Sequence, residues 1–375
     1  MTSRNEVRAA LEKLGKFTIL EEIDEGANAI AAFRALDGLL QREVFLKVIY
    51  YSPEAAAELL REPRVLVQAT AVIPKPENLV QVLGADVLTL AGEQYLCLQM
   101  EWIQGSSLLS SIKEENIGQF DAIRITRGIL HGLSHLHAQR ILHRDLKPAN
   151  ILLDGATPKI ADFGSAAVLP EGAASVPASR HSALYVPPEG WGDQPYYSMA
   201  SDLYQVGMVL YELVNGPLEY SMRHYLTPKV LRELRASGRD YELLDGCDQS
   251  QQVDMGIAEL ASRGRLLLHG RPPRIYFSEK LRRVVNLAIR AETSQRFSSA
   301  DAFIAKLNQI NVPNWRQLSD SDFMAENWRE WDWQISVTVT GTILRKARPT
   351  KGQFRKIPNL QFSSLAEIFA YVEQF

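Results

Sequence analysis

The chain has 375 residues, 46% hydrophobic and 23% charged, with a formal net charge of −3. This is an ordinary globular composition, long enough for two or three domains, and its near-neutral balance gives no global pull toward nucleic acid or anionic membrane. Two cysteines, Cys97 and Cys247, are too few for a disulfide framework or a cysteine-rich zinc site. No run approaches the ~18 apolar residues of a membrane span and the amino-terminal segment is no signal peptide, so the expected home is a reducing cytosol.

Residues 1–15 predict a helix with Val7, Leu11 and Leu14 on one face. From residue 16 the pattern turns to strands: FTILEEI, IAAFRAL and EVFLKVIY, divided by polar or glycine-bearing turns. Lys47 interrupts the most apolar of these, and a lysine inside a strand core is costly unless an anion pairs with it. The next helix, PEAAAELLREPRVLVQA, offers Glu54, Glu58 and Glu62, with a kink or break at Pro63. YLCLQMEWIQGSSLL reads as a strand carrying Cys97 into the core and leaving through Gly105, Ser106 and Ser107 toward a helix cap. From there to about Asn311 the chain is mostly helical. Ile125, Ile129, Leu133 and Leu136 make one helical stripe, with His135 and His137 near its end as cap or packing residues.

That helix delivers HRDLKPANILLDG, residues 143–155, with ADFG at 161–164. Asp145 and Asn150 are close enough in sequence for a tight loop to turn both into one cleft, and Asp162 follows a short apolar run that reaches the same cleft. Two carboxylates and an amide suit a hard cation such as Mg²⁺ that bridges phosphates, and Lys147 adds a cation where negative charge would build up.

Residues 143–150, HRDLKPAN, followed by Asp162-Phe163-Gly164, resemble the catalytic and magnesium loops of eukaryotic-type Ser/Thr protein kinases. The resemblance implies an α+β, bilobal kinase fold that uses ATP and Mg²⁺: a strand-rich lobe over 16–103 and a mostly helical lobe over 104–311. It makes Asp145, Lys147, Asn150 and Lys47 the catalytic set, with Asn150 and Asp162 on the metal and Glu62 bracing Lys47. Lys147, two residues after Asp145, marks the Ser/Thr type. The resemblance also puts Ile23, Gly26, Asn28, Ala31, Phe33, Phe45, Met100, Glu101, Ile103 and Leu152 around the nucleotide.

The glycine-rich loop departs most from the family's G-x-G-x-x-G-x-V. Only Gly26 remains; Asn28 and Ala31 stand for the other glycines, and Phe33 and Phe45 are expected to crowd the roof over the adenine. This departure supports the alternative of a pseudokinase scaffold that binds nucleotide or partners without efficient transfer.

After Gly164 comes an Ala-, Ser-, Pro- and Gly-rich activation segment. By resemblance Ser175 and Ser179 are its phosphate acceptors, Arg144 receives that phosphate, and Ser182 bonds the catalytic aspartate and lysine. Glu189 of Pro187-Pro188-Glu189 is expected to pair with Arg296, and Asp202 to cap the catalytic loop. SDLYQVGMVLYELVNG, apolar all round, predicts a buried central helix.

Residues 217–278 exceed the minimal family connection by roughly thirty residues, with helix patterns at KVLRELRAS and VDMGIAELASR around an acidic loop from Asp240 to Asp254. Residues 312–375 read as a separate α/β module: a helix, two or three strands and a final helix opened by a capping box at Ser364, with tryptophans at 315, 328, 331 and 333 seeding its core. Arg345, Lys346, Arg348, Lys351, Arg355 and Lys356 cluster in a hairpin before that helix, best read as solvated. The insert and this module are the expected docking surfaces for protein partners; nucleic acid is not an expected partner.

Overall fold

The computed structural model describes residues 3–24, 29–51, 65, 67, 69, 75–114, 117–178, 182–221, 223–339, 341–349, 352–357 and 362–375. Gly26, Asn28, Glu54, Glu58, Glu62, Ser179 and Lys351 lie outside the described residues.

Helix α1 (Arg4–Lys13) starts at a capping box in which Ser3 and Glu6 satisfy each other's backbone N–H groups. It buries Val7 and Leu11 but not Leu14, which is the C-cap and 48% exposed. The helix covers one face of an antiparallel sheet of β1 (Phe17–Ile23), β2 (Ala31–Asp37), β3 (Arg42–Tyr51), β4 (Val82–Leu90) and β5 (Glu93–Glu101), in the order β1-β2-β3-β5-β4. Strand alternation sends Val44, Leu46, Val48 and Cys97 to the α1 face. Phe45, Lys47, Leu98 and Met100 therefore take the opposite face, over the helical lobe.

In that lobe α2 (Leu108–Glu114) precedes α3 (Gln119–Ala138), whose Ile125, Ile129, Leu133 and Leu136 are all buried. Short strands β6 (Ile141–Leu142), β7 (Ile151–Asp154) and β8 (Thr157–Ile160) frame the loops that follow α3. Helix α4 (Met199–Asn215) is buried at every position from Ser201 on. At about 1.5–3 kcal/mol for each fully buried large aliphatic side chain, it is the apolar axis of the lobe.

The expected acidic loop from Asp240 to Asp254 is mostly helix. After α5 (Pro228–Ala236), Asp245 caps α6 (Gly246–Ser262) by accepting from the Asp248 N–H. Acidic residues there are a first-turn feature favoured by the helix dipole, which the sequence pattern hid. Helices α7 (Leu266–His269), α8 (Glu279–Ala288) and α9 (Ala300–Asn308) complete the lobe.

Residues 312–375 hold a second antiparallel sheet, β12 (Trp315–Gln317), β13 (Asp322–Trp328), β14 (Trp331–Thr338), β15 (Gly341–Ala347) and β16 (Arg355–Lys356), closed by α10 (Leu365–Gln374). The leading helix expected there is strand instead. Phe323, Ala325 and Trp328 are buried, and a β-bulge before the tight Trp328–Trp331 turn puts Asn327, Arg329 and Glu330 at positive φ. Pairing and burial override the helix propensity of Met324, Ala325 and Glu326. The basic residues Arg345, Lys346, Arg355 and Lys356 likewise lie on strands, not in the loop.

The expectation of a separate module is corrected too. Trp315, Phe323, Trp333 and Phe369 belong to the same buried cluster as α3, α4 and α8. The Tyr276 ring meets Phe323 at 6.1 Å and Phe369 at 6.0 Å, while Asn314 donates to Asp121 on α3 at 2.8 Å. The aromatics that seed this sheet's core also seal the underside of the helical lobe.

Candidate active site

The loop between β6 and β7 is suspended from α4. Asp202, fully buried in the first turn of α4, accepts the backbone N–H groups of His143 at 3.0 Å and Arg144 at 2.8 Å. His137, at the end of α3, holds the same carboxylate at 2.9 Å. Gln205, one turn further along α4, accepts the Leu146 N–H at 2.9 Å and donates to the Arg144 carbonyl at 3.1 Å. These bonds support a strained backbone, with Arg144 at φ 69°. The consequence is that Asp145 is turned out of the helix stack into the cleft.

Around Asp145 the polar groups converge. Lys147 Nζ donates to Asp145 Oδ2 at 2.9 Å and to Ser182 Oγ at 2.7 Å. The Asn150 amide donates to the Asp145 carbonyl at 2.8 Å and to Oδ2 at 3.1 Å. With its nitrogen committed to Asp145, Asn150 has its amide oxygen left as the donor atom for a cation.

Asp162 arrives from β8 at φ 56°, a left-handed conformation that Asp tolerates. Phe163 fixes the turn: it is fully buried, with its ring 5.1 Å from that of His143. Asp162 Oδ1 then lies 4.0 Å from Lys47 Nζ. Lys47 is 5% exposed on β3, which brings the strand lysine and the metal-loop aspartate together between the lobes.

Strand register corrects the roof. Ile23, Ala32 and Lys47 form one cross-strand row, and Phe45 faces Met100. Phe33 pairs with Leu46 and is fully buried with Val7 and Leu11 on the α1 face, so it does not crowd a nucleotide; Ala31 points the same way. Successive strand side chains alternate, so the pairing of Ala32 with Lys47 puts Phe33 on the face away from the lysine, against the place the resemblance gave it. Phe45 stays on the Lys47 face.

At the hinge, Glu101 is a structural brace. Both its carboxylate oxygens take Lys159 Nζ at 3.0 Å, and its N–H donates to the Gln81 carbonyl. Ile103 is buried beside it. Gly105 is required for contact: a Cβ there would sit 1.6 Å from the Leu153 carbonyl oxygen. Ser107 forms an isolated antiparallel bridge with Leu152, which packs partly buried against the core.

The activation segment is pinned by short pairings of β9 (Ala167–Val168) with β6 and of β10 (Val176–Pro177) with β11 (Tyr196–Tyr197). Arg144, expected to receive a phosphate, donates to the Ser165 and Pro177 carbonyls of the segment. Ser175 is exposed. Glu189 and Arg296 form a bidentate ion pair at 2.6 and 2.7 Å.

Tyr185 donates to Glu212 at 2.7 Å, tying the segment to α4. Burial pushes the Glu212 carboxyl up to about 7, although the Leu218 N–H and the Tyr185 hydroxyl pull it down. Burial and then the Glu212 charge push the Tyr185 phenol well above its ordinary value.

His137, Gln205, Glu212 and Lys159 were missed as site supports. For Gln205 and Glu212 the signal was present: each is a polar residue inside an otherwise apolar helix, and a buried polar group needs a partner.

Among the described residues no three His, Cys, Asp or Glu side chains form a metal cluster. One carboxylate and one amide oxygen fit magnesium only when phosphate and water oxygens complete its shell, as they do for a nucleotide-bound ion. A family model described as the protein kinase domain matches residues 17–307. The chain belongs to the protein kinase family.

Over shorter stretches this kinase chain is 39% identical over 133 residues to the RAF proto-oncogene serine/threonine-protein kinase of Xenopus laevis, covering 34% of the chain and 21% of that protein. It is also 39% identical over 127 residues to the serine/threonine-protein kinase GIN4 of Saccharomyces cerevisiae, covering 33% of the chain and 11% of that protein. The chain thus matches only about a fifth and a ninth of the length of these relatives. No described helix is long and apolar enough to cross a membrane.

Proposed function

We propose that this kinase chain transfers the terminal phosphoryl group of ATP to serine and threonine hydroxyls of protein substrates. The observation that carries the reading is the connected set Asp145, Lys147 and Ser182, bonded at 2.9 and 2.7 Å. Asp145 orients the substrate hydroxyl and takes its proton, while Lys147 stands beside the transferring group as a fixed cation. Lys47 holds the nucleotide phosphates. When magnesium is bound, held by Asp162 and the Asn150 oxygen, it neutralises phosphate charge. The transition state is loose, so the chain's contribution is positioning and electrostatics. Two relatives named as serine/threonine-protein kinases support the choice of acceptor.

The segment itself is a candidate autophosphorylation target at Ser175, which is exposed between β9 and β10. The insert over 217–278 is a candidate protein-docking surface; replacing it with a short loop is expected to weaken phosphorylation of the natural substrate but not of a short peptide. A cytosolic location fits the two free cysteines, one of them buried.

One observation favours a second reading, a scaffold that binds nucleotide without efficient transfer: Phe45 sits on the Lys47 face, opposite Met100. The experiment that separates the two is labelled-phosphate transfer by the intact chain and by Asp145→Asn, with nucleotide binding measured alongside. A loss of about 10²-fold or more in transfer with binding retained is expected. Equal incorporation by both proteins would end the catalytic reading.

A further inference from the structure

The carboxy-terminal sheet carries a feature that phosphoryl transfer does not use. A cavity of about 570 Å³ opens on it, lined by Trp331, Lys346, Arg348, Gln353, Arg355 and Lys356 among others. The register explains the convergence. Trp333, Lys346 and Arg355 form one cross-strand row, and Arg348 follows Lys346 on the same face. The lining contains four cations and no acid. Lys346, Arg355 and Lys356 make no ion pair among the described residues, and Arg348 pairs only with the exposed rim residue Glu330.

Lys346 is the centre. It is half-buried, with its Nζ 4.3 Å from the Trp331 ring centroid and 4.4 Å from that of Phe375. The rings hold the cation in place and exclude water around it, which strengthens its attraction for an anion. Three cations on one face, Lys346, Arg348 and Arg355, exceed what a single carboxylate neutralises, whereas a phosphomonoester brings about −1.5 to −2 charges and three acceptor oxygens. Arginines match that geometry with paired N–H donors.

We infer that this cavity binds a phosphorylated serine or threonine side chain of a peptide, either a product of the chain or a primed partner. Choosing a peptide phosphate rests on the kinase reading above, since such an enzyme makes this group. Single-stranded RNA is disfavoured because Lys346 and Arg348 already sit 4.3 and 4.5 Å from the Trp331 centroid, occupying its stacking surface. A membrane surface is disfavoured because the exposed Val339 lies at the opposite end of β15 from Arg348, roughly 20 Å away at ~3.3 Å per residue.

The test is fluorescence anisotropy of the full chain with a labelled phosphoserine peptide of otherwise neutral sequence. Binding is expected for that peptide and not for its unphosphorylated twin. Arg355→Glu and the gentler Lys346→Met should each weaken it by roughly tenfold or more, with unchanged melting temperature and unchanged phosphoryl transfer to a generic protein. Arg232→Glu, a charge reversal on the distant α5, should leave binding intact. Equal affinity for both peptides, equal loss with Arg232→Glu, or tighter binding of a poly(U) oligonucleotide or of phosphatidylserine vesicles would each overturn the proposal. Phosphopeptide binding without any phosphoryl transfer would retain this site and reject the kinase activity instead.

Discussion

Arg296 and Glu189, 107 positions apart in sequence, meet as a two-pronged ion pair in which the guanidinium is fully buried and the carboxylate 5% exposed. The guanidinium also donates to the carbonyls of Arg290, Ala200 and Ala291 and lies 5.0 Å from the Tyr204 ring centroid. The pair joins the end of the activation segment to the loop before α9. Removing one partner leaves the other charge buried, at a cost of about 3–5 kcal/mol. Arg296→Met and Glu189→Leu are each expected to lose that much in urea unfolding, and the double variant less than the sum. Strict additivity would show that the pair is not coupled.

Ser182 ties the substrate platform to Lys147 through one hydroxyl at 2.7 Å. Lys147 also bonds Asp145 independently of that hydroxyl, at 2.9 Å. Ser182→Ala should therefore lower kcat by about tenfold through misplacement while leaving the KM for ATP nearly unchanged. Ser182→Thr, which retains the hydroxyl, should restore most of the rate. Steady-state kinetics with ATP varied through saturation reads both variants; a raised ATP KM with normal kcat would contradict the assignment.

Glu212 predicts a pH dependence of stability. Its carboxyl ordinarily titrates at 4.5 and is pushed up to about 7 in the fold, mainly by burial. Between those values the folded chain keeps a proton that the unfolded chain has released. The stabilisation is thus fully present below about 4.5 and is lost as pH rises through about 7. At about 1.4 kcal/mol per pKa unit the loss is on the order of 3 kcal/mol. Glu212→Gln should flatten this component, measured as the variant's shallower fall in Tm between acidic and mildly alkaline buffer. Parallel curves for the two proteins would remove Glu212 as the cause.

The shared core of 312–375 and the helical lobe predicts one unfolding transition. Trp315 and Trp333 are 1% and 0% exposed within that cluster. Calorimetry of the whole chain should give a single cooperative peak, and a chain ending at 311 should melt markedly lower or aggregate. Two independent peaks, with the kinase lobes unchanged by truncation, would restore the picture of a separate module.

Much of the site was legible because its chemistry sits in contiguous sequence. Residues 143–150 and 161–164 carry their donors and acceptors at fixed short spacing, and α4 announced itself by being apolar all round. Phe33 was not legible because strand side chains alternate with a period of two, so only its pairing with Leu46 decides that it joins the α1 face. The early part of 312–375 was misread as helix because local propensity there opposes the pairing that β13 and β14 achieve.

The sequence by itself determined the loop of residues 143–150, the turn at Asp162, the placing of Lys47 within a strand and the helical axis beneath them. Each is a local pattern whose physical cause lies within a few residues. Only the tertiary structure decided that His137, Gln205 and Asp202 jointly suspend that loop, that Phe33 lies on the α1 face, and that Lys346, Arg348 and Arg355 share one sheet face with Trp331. Those facts depend on which strands and helices lie side by side, a long-range packing outcome that no short stretch of sequence encodes alone. The loop His143 opens is written in the chain; the scaffold that holds it open is made by folding.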